Sequence, residues 1–144
     1  MVTNKMRVYF SHPTLTYRTR TEEKCMGIIE EVLGPEEIIN PANYGIKDDL
    51  REIVRATGGV VGMAIGNKYT FLVWNEMEEG EKHGAKLYTI RVQDKEKIGG
   101  LEKGMPRDTV RLNREDSHEF TRKLLKENRS SLLGLLFGNW GSRF

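Results

Sequence analysis

The chain predicts a single-domain α/β fold, a doubly wound sheet of the flavodoxin or Rossmann type. About five mainly parallel strands, flanked by helices, are expected. Three observations carry this prediction. Val60 to Ile65 (Val-Val-Gly-Met-Ala-Ile) is almost wholly apolar and small, as a central parallel strand covered on both faces requires. Short β-rich runs alternate with stretches of helical periodicity in the order β-α-β-α-β-α-β, which implies right-handed crossovers and parallel strands. The 144 residues contain no internal repeat and no dividing linker, so they make one domain with one core.

Each element follows from local chemistry. Arg7 to Phe10 is a β-rich run stopped by Ser11-His12-Pro13, where Pro13 removes a ladder donor and keeps His12 out of helical geometry. After a polar loop, Thr19 and Glu22 fit a capping box, and Cys25, Ile28, Ile29 and Val32 recur at helical spacing until Gly34-Pro35. Glu37 to Ile39 is a second strand, followed by the loop Asn40 to Gly45. Asp48 and Asp49 suit the positive start of a helix with the apolar face Leu50, Ile53, Val54 and Thr57, ended by Gly58-Gly59. Gly66-Asn67-Lys68 is a turn. The third helix starts near Thr70 or Trp74 and ends at Gly84, and Leu87 to Val92 is the fourth strand.

Gln93 to Arg107, polar and Gly-rich, reads as a surface loop, and Thr109 to Leu112 as a fifth strand. Ser117 is placed as the cap of a last helix with Phe120, Leu124 and Leu125 on one face. The apolar tail 131–144 either closes the core or packs on another subunit, the route to a homo-oligomer, and residues 1–5 are a frayed extension or an alternative start.

Composition bounds the function. Charged residues make up 31% of the chain, above the roughly 25% of an ordinary domain. The balance of 23 Lys and Arg against 21 Asp and Glu gives no global pull toward polymeric nucleic acid or membrane. No apolar run approaches the ~20 residues of a membrane span and no signal segment opens the chain, so a cytoplasmic protein is expected. Cys25 is the only cysteine; on an apolar helix stripe it reads as a small buried hydrophobe rather than a nucleophile.

The loops after the first three strands open on the same edge of a parallel sheet, where ligands bind. The first offers Ser11, His12, Thr14, Thr16, Tyr17, Arg18 and Arg20; the second Asn40, Asn43, Tyr44, Asp48 and Asp49; the third Asn67, Lys68, Thr70, Asn75 and Glu76. Hydroxyls, arginines and a helix start suit a phosphate, and carboxylates beside them suit sugar hydroxyls or acid–base work. Stronger signatures are missing. No G-x-G-x-x-G follows the first strand and no Walker A sequence is present. His12, His83 and His118 lack metal-ligand spacing, so neither a metal nor a cofactor is expected.

The stretch from Met6 to Val92 resembles the nucleoside 2-deoxyribosyltransferase-like family, which includes the 2'-deoxynucleoside 5'-monophosphate N-glycosidases. The resemblance rests on Val8-Tyr9-Phe10-Ser11-His12-Pro13, a strand running into a polar loop, and on Asp49-Leu50-Arg51-Glu52-Ile53 before a small apolar strand. It rests also on Glu76 standing eight residues before Gly84, with Lys86-Leu87-Tyr88 where the family usually has Lys-Pro-Val. It implies that Glu76 is the nucleophile at the anomeric carbon of a nucleoside and that Asp49 assists at the base or sugar. Ser11 and the Tyr17 to Arg20 loop would hold the 5' end, the arginines favouring a 5'-phosphate. The family's Asp or Ser six residues before the Glu, and its Gly four before, are here Thr70 and Leu72; its Gly two after and Ala four after are Glu78 and Gly80.

Three functions are therefore weighed: an enzyme acting on the N-glycosidic bond of a nucleoside or its 5'-monophosphate, a non-catalytic nucleotide or ADP-ribose sensor on the same fold, and a partner-binding protein that uses the apolar tail. Each glutamate of 76–81 also fits an acidic, solvated helix face. The position of the Glu76 side chain is the feature that separates these readings.

Overall fold

The computed structural model describes residues 6–44, 53–54, 57–93 and 97–127. Within them lie seven strands: β1 (Arg7–Ser11), β2 (Glu37–Ile39), β3 (Gly59–Ile65), β4 (Lys68–Tyr69), β5 (Lys86–Val92), β6 (Ile98–Lys103) and β7 (Val110–Arg111). Three full helices accompany them: α1 (Arg20–Leu33), α2 (Phe71–Lys82) and α3 (Arg114–Glu127). Ile53 and Val54 are also helical, whereas Thr57, expected on the same helix face, is not in a helix and donates its hydroxyl to the Val54 carbonyl at 2.8 Å. Residues 45–52 and 55–56, Asp49 included, lie outside the described residues, as do 94–96 and the ends 1–5 and 128–144.

The four longer parallel partners run in the order β2-β1-β3-β5, with β1 beside both β2 and β3 and with β3 paired to β5 along its whole length. The order reverses between β1 and β3, and in such sheets the crevice at the carboxyl ends of those two strands is the place for a ligand. The β3 run is buried at every residue, as its apolar sequence predicts.

Two apolar clusters sandwich the sheet. Val8 and Phe10 of β1 pack with Val61 and Met63 of β3 against Cys25 and Ile29 of α1 and Leu124 of α3. Tyr9 faces the other side, with Val60 and Ala64 of β3, Val54, and Val73 and Met77 of α2. The alternation along β1 is the strand period of two, and it sends Tyr9 to the α2 side while Val8 and Phe10 go to the α1 side.

α2 lies close to β3 because two glycines leave room for it. A Cβ at Gly62 would come 2.2 Å from the Met77 sulfur, and one at Gly80 would come 2.5 Å from Cγ2 of Val60. Gly80 therefore lets the helix backbone settle onto the sheet.

Several expectations change. The stretch 93–107 is not simply a loop: β6 pairs antiparallel with β5, Ile90 opposite Leu101. Its glycines masked the strand pattern, since Gly99 and Gly100 carry no side chain to show alternation. The brief β4 was hidden in the expected turn at 66–68, and it pairs antiparallel with Ile65 and parallel with β7. The expected fifth strand shrinks to Val110–Arg111. Val32 completes a helical stripe in sequence, yet it is 59% exposed at the end of α1. Ser117 does not cap α3. Asn113 does, its Oδ1 accepting the Asp116 N–H at 2.7 Å.

Candidate active site

β1 ends on the α2 side with two hydroxyls two residues apart, and both meet Glu76. The Tyr9 hydroxyl donates to one carboxylate oxygen at 2.7 Å and the Ser11 hydroxyl to the other at 2.6 Å. The strand period puts Tyr9 and Ser11 on one face, and α2 delivers Glu76 to it from across the β1–β3 boundary. Glu76 is 6% exposed, whereas Glu81 of the same helix is exposed and Glu78 pairs with Arg111. The four glutamates are thus unequal: one is turned onto the sheet and held at both oxygens.

Burial pushes the Glu76 carboxyl above its usual range, and the hydrogen bonds from Ser11 and Tyr9, with nearby His12, offset this only in part. Burial likewise raises the Tyr9 phenol, and the Glu76 charge beside it adds to the effect. A carboxyl shifted by burial with charged and hydrogen-bonding groups beside it is a property that structural ion pairs also have but that concentrates at reactive sites.

His12 is buried beside this group. Its ring stacks on Phe10 with centroids 4.1 Å apart, Nδ1 lies 2.9 Å from the Phe10 carbonyl oxygen, and Nε2 lies 2.7 Å from the Glu22 carboxylate. A carbonyl only accepts, so Nδ1 carries a proton. Burial would raise Glu22, but the His12 hydrogen bond and charge, the Arg18 backbone N–H and the Asn40 side chain together hold it below its ordinary value. Only half of the expected capping box forms. Thr19 accepts the Glu22 N–H at 3.1 Å, while the Glu22 carboxylate turns to His12, the Arg18 backbone N–H and the Asn40 side chain.

The other sequence candidates divide. The half-buried Tyr17 tilts against His12 at 4.8 Å, and burial followed by the charges of Glu76 and Glu22 raises its phenol. The exposed Arg18 donates to the Ala42 carbonyl at 3.3 Å and holds a positive φ of 60°, strained for a residue with a Cβ. Arg20 is exposed at the start of α1, and Asn43 and Tyr44 are exposed at the loop after β2. Tyr44 still lies near enough to raise Tyr9 by its charge. Asn75 is turned away, its amide donating to the Phe71 carbonyl of its own helix at 2.7 Å. Thr70 is the N-cap residue of α2, but its side chain makes no capping bond. Ser11, His12, Tyr17 and Glu76 are thus brought together; Asn75 is not, and Asp49 falls outside the described residues.

Tyr9 and Glu22 belong to this group and were assigned only to a strand and a cap. The signal for Tyr9 was available in its strand-period spacing from Ser11. Nothing local could assign Glu22 to His12.

A second feature adjoins the first. Between Pro13–Leu15, the start of α2 and the exposed side of α3 lies a groove of about 790 Å³, to which Thr70, Leu72, Arg114, His118 and Arg122 contribute. Glu76 does not line it. Among the described residues no group of three or more His, Cys, Asp or Glu is arranged to hold a metal ion, and no helix is long and apolar enough to cross a membrane. No protein-family model, curated protein or solved structure matches the chain.

Proposed function

We propose that the protein cleaves or transfers the N-glycosidic bond of a nucleoside or nucleoside 5'-monophosphate, with Glu76 as the nucleophile. The single observation that supports this reading most is the carboxylate itself, buried at the carboxyl end of β1 and held at both oxygens by Tyr9 and Ser11. A solvated helix-face glutamate would have neither the burial nor the two donors. The resemblance over Met6 to Val92 independently selects the same residue.

In this mechanism one Glu76 oxygen attacks the anomeric carbon as the carbon–nitrogen bond breaks, and the bonding pair leaves with the base, which takes up a proton. The ester so formed is then attacked at the same carbon by water, or by a nitrogen of a second base. That step restores the carboxylate and releases a proton. Tyr9 and Ser11 fix the carboxylate's orientation, and each oxygen keeps a lone pair beyond the one its donor uses. The raised pKa makes the carboxylate a stronger nucleophile once charged, so turnover should increase as pH rises through the Glu76 titration.

A non-catalytic ligand sensor is the second reading. It draws on the same raised pKa, because a protonated Glu76 donates a hydrogen bond instead of attacking. It draws also on Leu72, 44% exposed where the family has a glycine. One experiment separates the two: incubation with a panel of nucleosides and their 5'-monophosphates, with free base measured by liquid chromatography. The glycosidic reading expects base release from the wild type and none from Glu76→Gln, with ligand still stabilising both proteins. Absence of release across the panel, or an unchanged rate in Glu76→Gln, sinks it; stabilisation without turnover leaves the sensor.

A further inference from the structure

We propose that Glu22 is a positioning residue of the Glu76 site: its buried carboxylate gathers the loops after β1 and β2 into the one arrangement that frames Glu76. Glu22 stands in the first turn of α1 and is 7% exposed. Three segments each bring a polar group to it. His12 Nε2 comes from the end of β1 at 2.7 Å, the Arg18 backbone N–H from the loop that follows, and the Asn40 side chain from the loop after β2. A carboxylate is costly to bury unless such partners replace the water it loses, and here they hold it below its ordinary range.

The loop after β1 is held under strain. Arg18 takes a φ of 60°, and outliers of this kind persist only where the surroundings over-determine them. Two contacts do so. The Arg18 N–H is bonded to Glu22, and its guanidinium donates to the Ala42 carbonyl at 3.3 Å, which ties the first loop to the second. Asn40 sets the second loop: its Oδ1 accepts the Ala42 N–H at 2.9 Å, and the same side chain bonds Glu22. Both loops carry a tyrosine toward the reactive group. Tyr17, next to the strained Arg18, tilts against His12, where the charges of Glu76 and Glu22 both act on its phenol. Tyr44 ends the short turn Pro41–Asn43, near enough for its charge to act on Tyr9, the donor to Glu76.

The residues that carry the family resemblance assign no role to Glu22. That Glu22 holds the two loops stands on these contacts; that the loops serve a reaction rests on the glycosidic reading of Glu76. The titratable groups that interact with the carboxylate come from three places: His12 from the end of β1, Tyr17 from the loop, and Cys25 from α1 itself. Burial and the Glu22 charge raise Tyr17 and Cys25, so neither ionises where Glu22 titrates.

The test follows the full chain by NMR as it is acidified. In the wild type the Arg18 amide, the His12 ring and the Asn40 side-chain amide should shift together, with one midpoint below the ordinary 4.5 of Glu22. In Glu22→Gln that shared step should vanish, and at neutral pH the Arg18 amide should exchange about tenfold faster or more, the loss of a bond to a charged acceptor. Unmoved signals from β3 show that the variant is folded, and the wild-type titration needs no variant. Separate midpoints, or a shared step that survives Glu22→Gln, overturn the proposal. In the base-release assay Glu22→Gln should raise KM severalfold with kcat less affected, because Glu76 keeps both of its donors. A role in folding alone would lower the active fraction, and so kcat, at unchanged KM; that result also overturns it. A wild type that releases no base sinks the role of Glu76 and leaves the titration to decide Glu22, so the two fail separately.

Discussion

The Ser117 hydroxyl accepts the backbone N–H of Phe71 at 3.1 Å, so α3 caps the helix that carries Glu76. The two residues lie 46 apart in sequence. The bond takes up one of the N–H groups that a helix start leaves without an internal partner, a task that Thr70 leaves undone. It also fixes α3 against the mouth of the groove.

Removing that cap should cost what an N-cap ordinarily contributes. Ser117→Ala should lower stability by about 1 kcal/mol, the usual cost of an N-cap loss. Ser117→Thr, which keeps the oxygen, should recover part of it. Urea unfolding followed by circular dichroism measures both.

Burial of Glu76 carries a definite pH signature. Its folded pKa lies above the ordinary 4.5, so the folded protein binds that proton more tightly than the unfolded chain. The resulting stability is fully present below 4.5 and is lost as pH rises through the folded value. Glu76→Gln should therefore flatten the decline on the high side of 4.5. Glu22 has the opposite sign: its folded pKa is depressed, so its contribution is present above 4.5 and lost as pH falls through the folded value. Glu22→Gln should leave the Glu76 limb intact and reduce the loss on acidification. Melting temperatures across a pH series read both limbs; a parallel offset of Glu76→Gln from the wild type at all pH values would contradict the assignment.

Gly80→Ala should destabilise although alanine is the better helix former. The helical gain is about 1 kcal/mol. Against it, the new methyl would lie 2.5 Å from Cγ2 of Val60, a stiff β-branched side chain at the centre of the sheet. Overpacking of this kind costs about 1–3 kcal/mol, so the net change is a loss of up to about 2 kcal/mol. A crystal structure of the variant should show α2 displaced from β3, and with it the Glu76 carboxylate from Tyr9. Equal or greater stability than the wild type would refute the close-approach account.

Cys25 should be inert in the folded protein. It is fully buried, and burial followed by the Glu22 charge pushes its thiol up to about 12. Ellman's reagent at pH 8 should react only in denaturant, with a native rate governed by opening of the fold. Prompt stoichiometric labelling without denaturant would mean that α1 is not seated as described.

Local chemistry determined much of this molecule. The strands at Arg7, Glu37 and Val60, the Thr19 cap, the Gly34 stop and the parallel edge that gathers the first loops were all legible, because period, capping and turn residues act over a few positions. Glu76 was singled out by its place at the start of the crossover and by its spacing to Gly84. What the residue is, however, was decided in three dimensions. Its burial, its two donors on β1 and its raised pKa come from contacts across 65 residues or more, which neither its place in the crossover nor its spacing to Gly84 could supply. The same holds for Ser117, a plausible cap by composition that serves a different helix, and for β6, whose glycines erase alternation until β5 lies beside it. A side chain's energy depends on what surrounds it, and for these residues the surroundings are supplied by segments remote in the chain.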